Sequence, residues 1–231
     1  MVAIVGQRTL AVLAWYKVAK ENLSSAELLL KNKKVSHAIF FIQQCVECIV
    51  KGVFLESGVL NNDTTRQISH SPEDAYKLLY KQLDYSCGIY YCEEIPRQLN
   101  KGISFEEKLR ISANIANQFT EDYERNLKNA SCDANNIADM DPIALGLPPS
   151  ATQLQCYLCF LITMYNMNML LLFSCLFSHK VEQNAGYPQI NAQKIVVPSD
   201  VFNTLTIEKG LQTIIPILTK ILNDIIGLTI L

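Results

Sequence analysis

The strongest constraint on this chain is a pair of consecutive segments with different helical patterns. In the first, Val12, Trp15, Tyr16, Ala19, Leu23, Ala26 and Leu30 recur at intervals of three and four. That spacing puts them on one side of an α-helix. A polar basic turn follows, Lys31-Asn-Lys-Lys34. The second segment, near Val35 to Ser57, is apolar on most sides. Ala38, Phe41, Ile42, Cys45, Ile49 and Val53 fall on one face, and Ile39, Val46 and Val50 on another. A helix of that kind must be covered by neighbours on several sides, so it belongs at the centre of a helical bundle. Gly58 is placed to end it.

The remaining punctuation extends the helical reading. Ser71-Pro-Glu-Asp74 supplies a hydroxyl cap, a proline at the first helical position and acids in the first turn, with Ala75, Leu78, Leu79 and Leu83 facing inward. Residues 84–103 are broken by Tyr, Gly and Pro and read as irregular. Ser104-Phe-Glu-Glu107 is a capping box, and Leu109, Ala113, Ala116, Phe119, Tyr123 and Leu127 make the stripe behind it. Asn129 to Ser150 reads as a loop, and another loop runs to Pro198. A last helix, Thr206 to Ile226, buries Leu211, Ile214, Leu218, Ile221, Leu222 and Ile225, with Pro216 expected to kink or break it. The expected fold is therefore all-α, an up-and-down bundle of about five to six helices in a single domain spanning 1–231.

Charge argues against a broad, sequence-independent nucleic-acid surface and leaves room for a local basic patch. The formal net charge is −2, and five arginines are scattered among 20 basic residues. That is not the balance of a protein coated for nucleic acid. No phosphate-binding glycine loop and no HExxH zinc motif occurs. No charged segment precedes an apolar run at the N-terminus, so no secretory signal is read there and the eight cysteines are expected to be reduced, in the cytoplasm. Two CxxC pairs, Cys45/Cys48 and Cys156/Cys159, invite a four-thiolate zinc site. Both fall inside helices without the glycine knuckle such sites use, so core thiols are the expectation, with no metal and no cofactor. Leu154 to Phe177 carries no charge and is long enough to span a bilayer. Asn166 and Asn168 inside it are unfavourable in lipid, so a helix packed in protein is expected rather than a membrane span.

One polar group stands out against the apolar background. Gln44, Glu47 and Lys51 share a face of the second helix. Such a stripe either lines a ligand-binding cleft or closes an interhelical hydrogen-bonded network.

The ordered set of Trp15, Ala26-Glu-Leu-Leu-Leu30, Gln43-Gln44, Glu47, Lys51, Ser69-His70 and Ala185-Gly-Tyr-Pro188 resembles the HEPN domain family. The resemblance covers roughly 12–83 and 170–226, so 84–153 is expected to be an insertion. It implies a helical bundle that pairs into a homodimer. Family members include ribonucleases of toxin–antitoxin and defence systems, and non-catalytic modules that bind RNA, a nucleotide or a protein partner, some of them beside a nucleotidyltransferase. The nuclease members carry an Arg followed, after four to six residues, by a His. None of Arg8, Arg66, Arg97, Arg110 or Arg125 has a His at that spacing. Arg66 and His70 come closest, with three residues between, and are the weak catalytic candidates. Gly186 stands where the family usually has an Arg before Tyr-Pro. The expectation is a non-catalytic module using Gln44, Glu47 and Lys51, with a ribonuclease of non-standard Arg/His arrangement as the alternative.

Overall fold

The computed structural model describes residues 10–58, 60–61, 76, 89–99, 102–136, 140–145, 147–178, 189–191, 194–202 and 204–227. The Ser71–Leu83 helix expected from sequence lies outside them except for Tyr76, which is helical and buried against Phe54.

Helix α1 (Leu10–Lys31) and helix α2 (Val35–Glu56) form an antiparallel hairpin. All of Val12, Tyr16, Ala19, Leu23, Ala26 and Leu30 are buried, as the three-and-four spacing requires. The turn between the helices is a Schellman motif. Lys33 takes φ 58°, the Lys34 N–H donates to the Leu29 carbonyl at 2.9 Å, and the Lys33 N–H donates to that of Leu30 at 3.0 Å. The left-handed position is thus filled by a lysine, at a steric cost that glycine would avoid. Gly58, with φ 74°, ends α2 as its position in the sequence predicts.

Close approach of the two helices depends on Gly52. A Cβ there would lie 2.5 Å from Cε1 of Tyr16. The missing side chain lets the tyrosine ring lie on α2 while its hydroxyl donates to Glu56 at 2.7 Å. Helix α2 is the best-buried element described, with sixteen of its residues inside, including Ile39, Ile42, Ile49 and Phe54. Phe41 departs from the sequence expectation. It is half-buried, packed against the core edge rather than inside it.

Residues 84–103 are not irregular throughout. Helix α3 (Ile89–Leu99) occupies much of the span, with Pro96 inside it and Ile95 and Leu99 buried. An amphipathic pattern over only three turns, interrupted by proline, gave too little periodicity to read. Helix α4 (Phe105–Asn136) starts where Ser104 Oγ accepts the Glu107 N–H at 3.2 Å. It runs on through residues read as loop. Its seam also departs from the expected stripe in places: Ser112 is buried where Ala113 is exposed, and Ala130 is buried one turn beyond the exposed Leu127.

Helix α5 (Gln153–Leu176) packs antiparallel on α4. A complete Thr152/Gln155 capping box opens it. A short hairpin of β1 (Gln189–Asn191) and β2 (Lys194–Val196) follows where only loop was expected. After the short helix α6 (Pro198–Phe202), helix α7 (Leu205–Gly227) contacts α1, α2 and α4. Its six predicted inward residues are all buried, and it stays helical across Pro216. The all-α bundle expected from the sequence is the observed fold, with the hairpin as a small addition.

Both α2 and α5 are long and apolar enough to cross a membrane by length and composition. Yet 78% of the most apolar window of α2, and 61% of that of α5, is buried within the protein.

Candidate functional site

Helix periodicity brings Gln43, Gln44, Glu47 and Lys51 together on the side of α2 that meets α1. They form a connected chain. Gln44 Nε2 donates to Gln43 Oε1 at 2.6 Å, and Gln43 Nε2 reaches Glu47 Oε2 at 3.5 Å. Lys51 Nζ donates to Glu47 Oε1 at 2.6 Å and sits 5.3 Å from the centre of the Trp15 ring.

Burial grades this chain from outside to inside. Gln44 is half-buried, while Gln43, Glu47 and Lys51 are 0%, 4% and 6% exposed. Glu47 and Lys51 neutralise each other where neither could be left charged and unpaired. The Trp15 face adds a cation–π contact to the ammonium. The stripe predicted from spacing therefore exists. Its charged members are turned into the α1–α2 wall, and Gln44 is its member nearest solvent.

Two residues that carry the family resemblance, Gln43 and Trp15, have roles in this wall that spacing does not give. Gln43 is fully buried and connects Gln44 to Glu47, a role visible only once its neighbours' directions are known. Trp15 caps the lysine from α1, a contact between helices that no single-helix pattern reveals.

The cysteines have the character of core residues. Cys45, Cys48, Cys156 and Cys159 are all buried. Burial pushes the Cys48 thiol up to about 12, with the nearby Glu47 carboxylate adding to the rise. Burial likewise raises Cys45, then the neighbouring Cys48. Thiols held protonated in this way are poor nucleophiles. Among the described residues, no group of three or more His, Cys, Asp or Glu is arranged to hold a metal ion.

Arg66 and His70, the weak catalytic candidates, lie outside the described residues, as do His179 and the Ala185-Gly-Tyr-Pro188 segment. His37 is exposed at the start of α2, its Nδ1 3.4 Å from Ser36 Oγ.

A second polar cluster joins three helices at the other side of the bundle. Tyr123 of α4 and Tyr165 of α5 pack with ring centres 4.8 Å apart. Lys220 of α7 lies 5.8 and 5.3 Å from those centres and donates to Asp224 at 2.5 Å. Asn166 Nδ2 donates to the same carboxylate at 3.4 Å.

The helical hairpin, with its amide–carboxylate–ammonium chain facing α1, agrees with a comparison against family models, in which the HEPN domain matches residues 12–137, more than half of the chain. The chain belongs to the HEPN domain family. No curated protein and no solved structure matches it. The HEPN match takes in α1 through α4 and so contains the whole Gln43–Gln44–Glu47–Lys51 chain and Trp15. Family membership leaves two roles, nuclease and non-catalytic module, and the difference between them rests on side chains.

Proposed function

We propose that this chain is a non-catalytic HEPN module that binds RNA or a nucleotide at the polar face of α2. The observation that carries this reading is the missing pair. None of the five arginines is followed after four to six residues by a histidine. A ligand would meet Gln44 first. Its amide can both donate to and accept from a base or sugar. Lys51, paired with Glu47 and covered by Trp15, holds the wall behind Gln44 in place rather than serving as a free phosphate hook. The module works in the cytoplasm as a homodimer, beside a partner such as a nucleotidyltransferase. The burial of most of both long apolar helices supports this placement, and Leu154 and Met164, left exposed on α5, supply apolar surface for assembly.

The test is to incubate purified protein with structured and single-stranded RNA and with nucleoside triphosphates, scoring cleavage and binding separately. The expected result is binding without cleavage, weakened by Gln44→Ala with an unchanged melting temperature. Cleavage by the natural chain that disappears in His70→Ala would overturn the reading in favour of the ribonuclease alternative.

A further inference from the structure

The N-terminal half of α2 and the turn before it carry an arrangement that the polar wall does not use. Lys31, Lys33 and Lys34 are all exposed on the Schellman turn. Lys33 pairs with the buried Glu208 of α7, which fixes the turn against the start of that helix. Lys209, the next residue of α7, is exposed beside this contact. Lys31, Lys34 and Lys209 have no ion-pair partner among the described residues. Among the described residues, carboxylates near the cluster include Glu208, already engaged by Lys33, Glu106, which accepts from Thr204 at the start of α7, and Glu27, one turn before Lys31 on α1. A chain of net charge −2 thus concentrates four ammonium groups at one pole.

The same pole has further features. Lys34 occupies the N-cap of α2 and gives no side-chain cap, and no acid stands in the first turn. His37 comes three residues later, and Phe40, Phe41 and Gln44 follow it at three, four and seven residues, on one helical face. These four, with Leu55 and Glu56 at the far end, are the α2 residues that reach solvent, and the rest of the helix is buried. Phe40 and Phe41 meet edge to face, with ring centres 5.5 Å apart. The stripe therefore runs from ammonium groups, past an imidazole and two part-buried aromatic rings, to the amide that leads into the buried chain.

We infer that this pole is a docking track for single-stranded nucleic acid. Lys31, Lys34 and Lys209 hold the phosphates around the turn that the Lys33–Glu208 pair fixes, and the His37–Phe40–Phe41 stripe receives unstacked bases on the way to Gln44. The reasoning is chemical. Clustered lysines attract any polyanion, but a polyanion that offers carboxylates alone has no use for part-buried aromatic rings in line with them. Bases do, because every base has a face to stack. A duplex keeps its bases stacked on each other and would use the lysines alone. The inference rests on the proposed ligand-binding role of Gln44 and assigns the class of ligand that reaches it.

The experiment uses the full chain and a labelled mixed-sequence RNA strand of about twelve nucleotides, within the site sizes such grooves cover. The DNA equivalent, the RNA duplex and polyglutamate are the comparison arms. Combining Lys31→Ala, Lys34→Ala and Lys209→Ala is expected to weaken single-strand binding at least about tenfold at low salt. Removing three phosphate contacts should also flatten the slope of log affinity against log salt by about 2. Phe40→Ala is expected to weaken single-strand binding about five- to tenfold while leaving the duplex unaffected. These surface variants should melt like the natural chain, and circular dichroism checks that. Undiminished binding by the triple variant would overturn the inference. So would displacement of the strand by polyglutamate at equal charge concentration, duplex binding as tight as single-strand binding, or failure of the natural chain to bind any strand. Loss of binding in Gln44→Ala alone, or Gln44-dependent binding of a nucleoside triphosphate without RNA, would leave the proposed function standing and remove only the track.

Discussion

Helices α2 and α5 are similar in length and equally apolar over their most apolar windows, yet they solve burial in opposite ways. Helix α2 carries charge into the core and satisfies it. Glu47 and Lys51 are paired at 2.6 Å, linked to Gln43 and covered by Trp15. Helix α5 carries no charge and is still less completely satisfied. Asn166, 2% exposed, donates weakly to Asp224, and its Oδ1 has no partner among the described residues. Hydropathy therefore does not report how demanding a helix interior is. A buried ion pair with complete geometry imposes a fixed arrangement on its neighbours, whereas an apolar helix with one orphaned amide oxygen tolerates several.

The sharpest way to break this comparison is to break the pair. Lys51→Ala leaves Glu47 buried without its counter-charge and should destabilise the protein by about 3–5 kcal/mol. Replacing both partners with apolar residues of similar volume, Glu47→Leu with Lys51→Met, should recover most of that loss, because no charge remains to be compensated. Chemical denaturation of the three proteins measures it. A Lys51→Ala variant as stable as the natural chain would mean that the pair does not constrain α2. It would also return Lys51 to the role of a free phosphate ligand.

On α5 the expected effect is smaller. Asn166→Leu removes the orphaned oxygen and a 3.4 Å hydrogen bond, while Lys220 still holds Asp224. Deleting an unsatisfied polar atom offsets the lost bond, so stability should change by less than about 1 kcal/mol in either direction. A loss comparable to that of Lys51→Ala would show that Asn166 belongs to a network as exacting as the one on α2. The same denaturation series decides this.

What could be read from the sequence divides along similar lines. The inward faces of α1, α2 and α7 were legible residue by residue, because a long helix repeats its pattern enough times to fix its register. The α1–α2 turn and the Gly58 stop were legible from local chemistry. Helix α3 was not, since Pro96 interrupts three turns. Nor was the end of α4, where Asn129 to Asn136 are polar residues that fit a loop equally well. In the candidate site, spacing placed Gln44, Glu47 and Lys51 on one face correctly. It did not separate the half-buried Gln44 from the buried pair, because which way a face points depends on α1. Phe41 shows the same limit. It shares the apolar periodicity of the core but sits at its rim.

The smallest expected effect compares the thiols of the two helices. All four are raised, chiefly by burial, and Cys45 and Cys48 beside Glu47 are the more strongly shifted pair. In the unfolded chain a cysteine loses its proton near pH 8.5. In the folded protein Cys48 keeps its proton until about 12. Between those values the unfolded state binds fewer protons than the native state, so stability falls as pH rises. Below pH 8.5 both states are protonated and the thiols contribute no pH dependence. Denaturation midpoints should therefore be flat from pH 7 to about 8 and decline above it. Cys45→Ala with Cys48→Ala should flatten the decline more than Cys156→Ala with Cys159→Ala. In a labelling experiment at pH 8 the exposed Cys132 should alkylate readily, while the α2 pair should react only on unfolding. Rapid alkylation of Cys45 or Cys48 in the native protein would show that the α1–α2 wall opens, and that its ion pair is not the closed element that distinguishes α2 from α5.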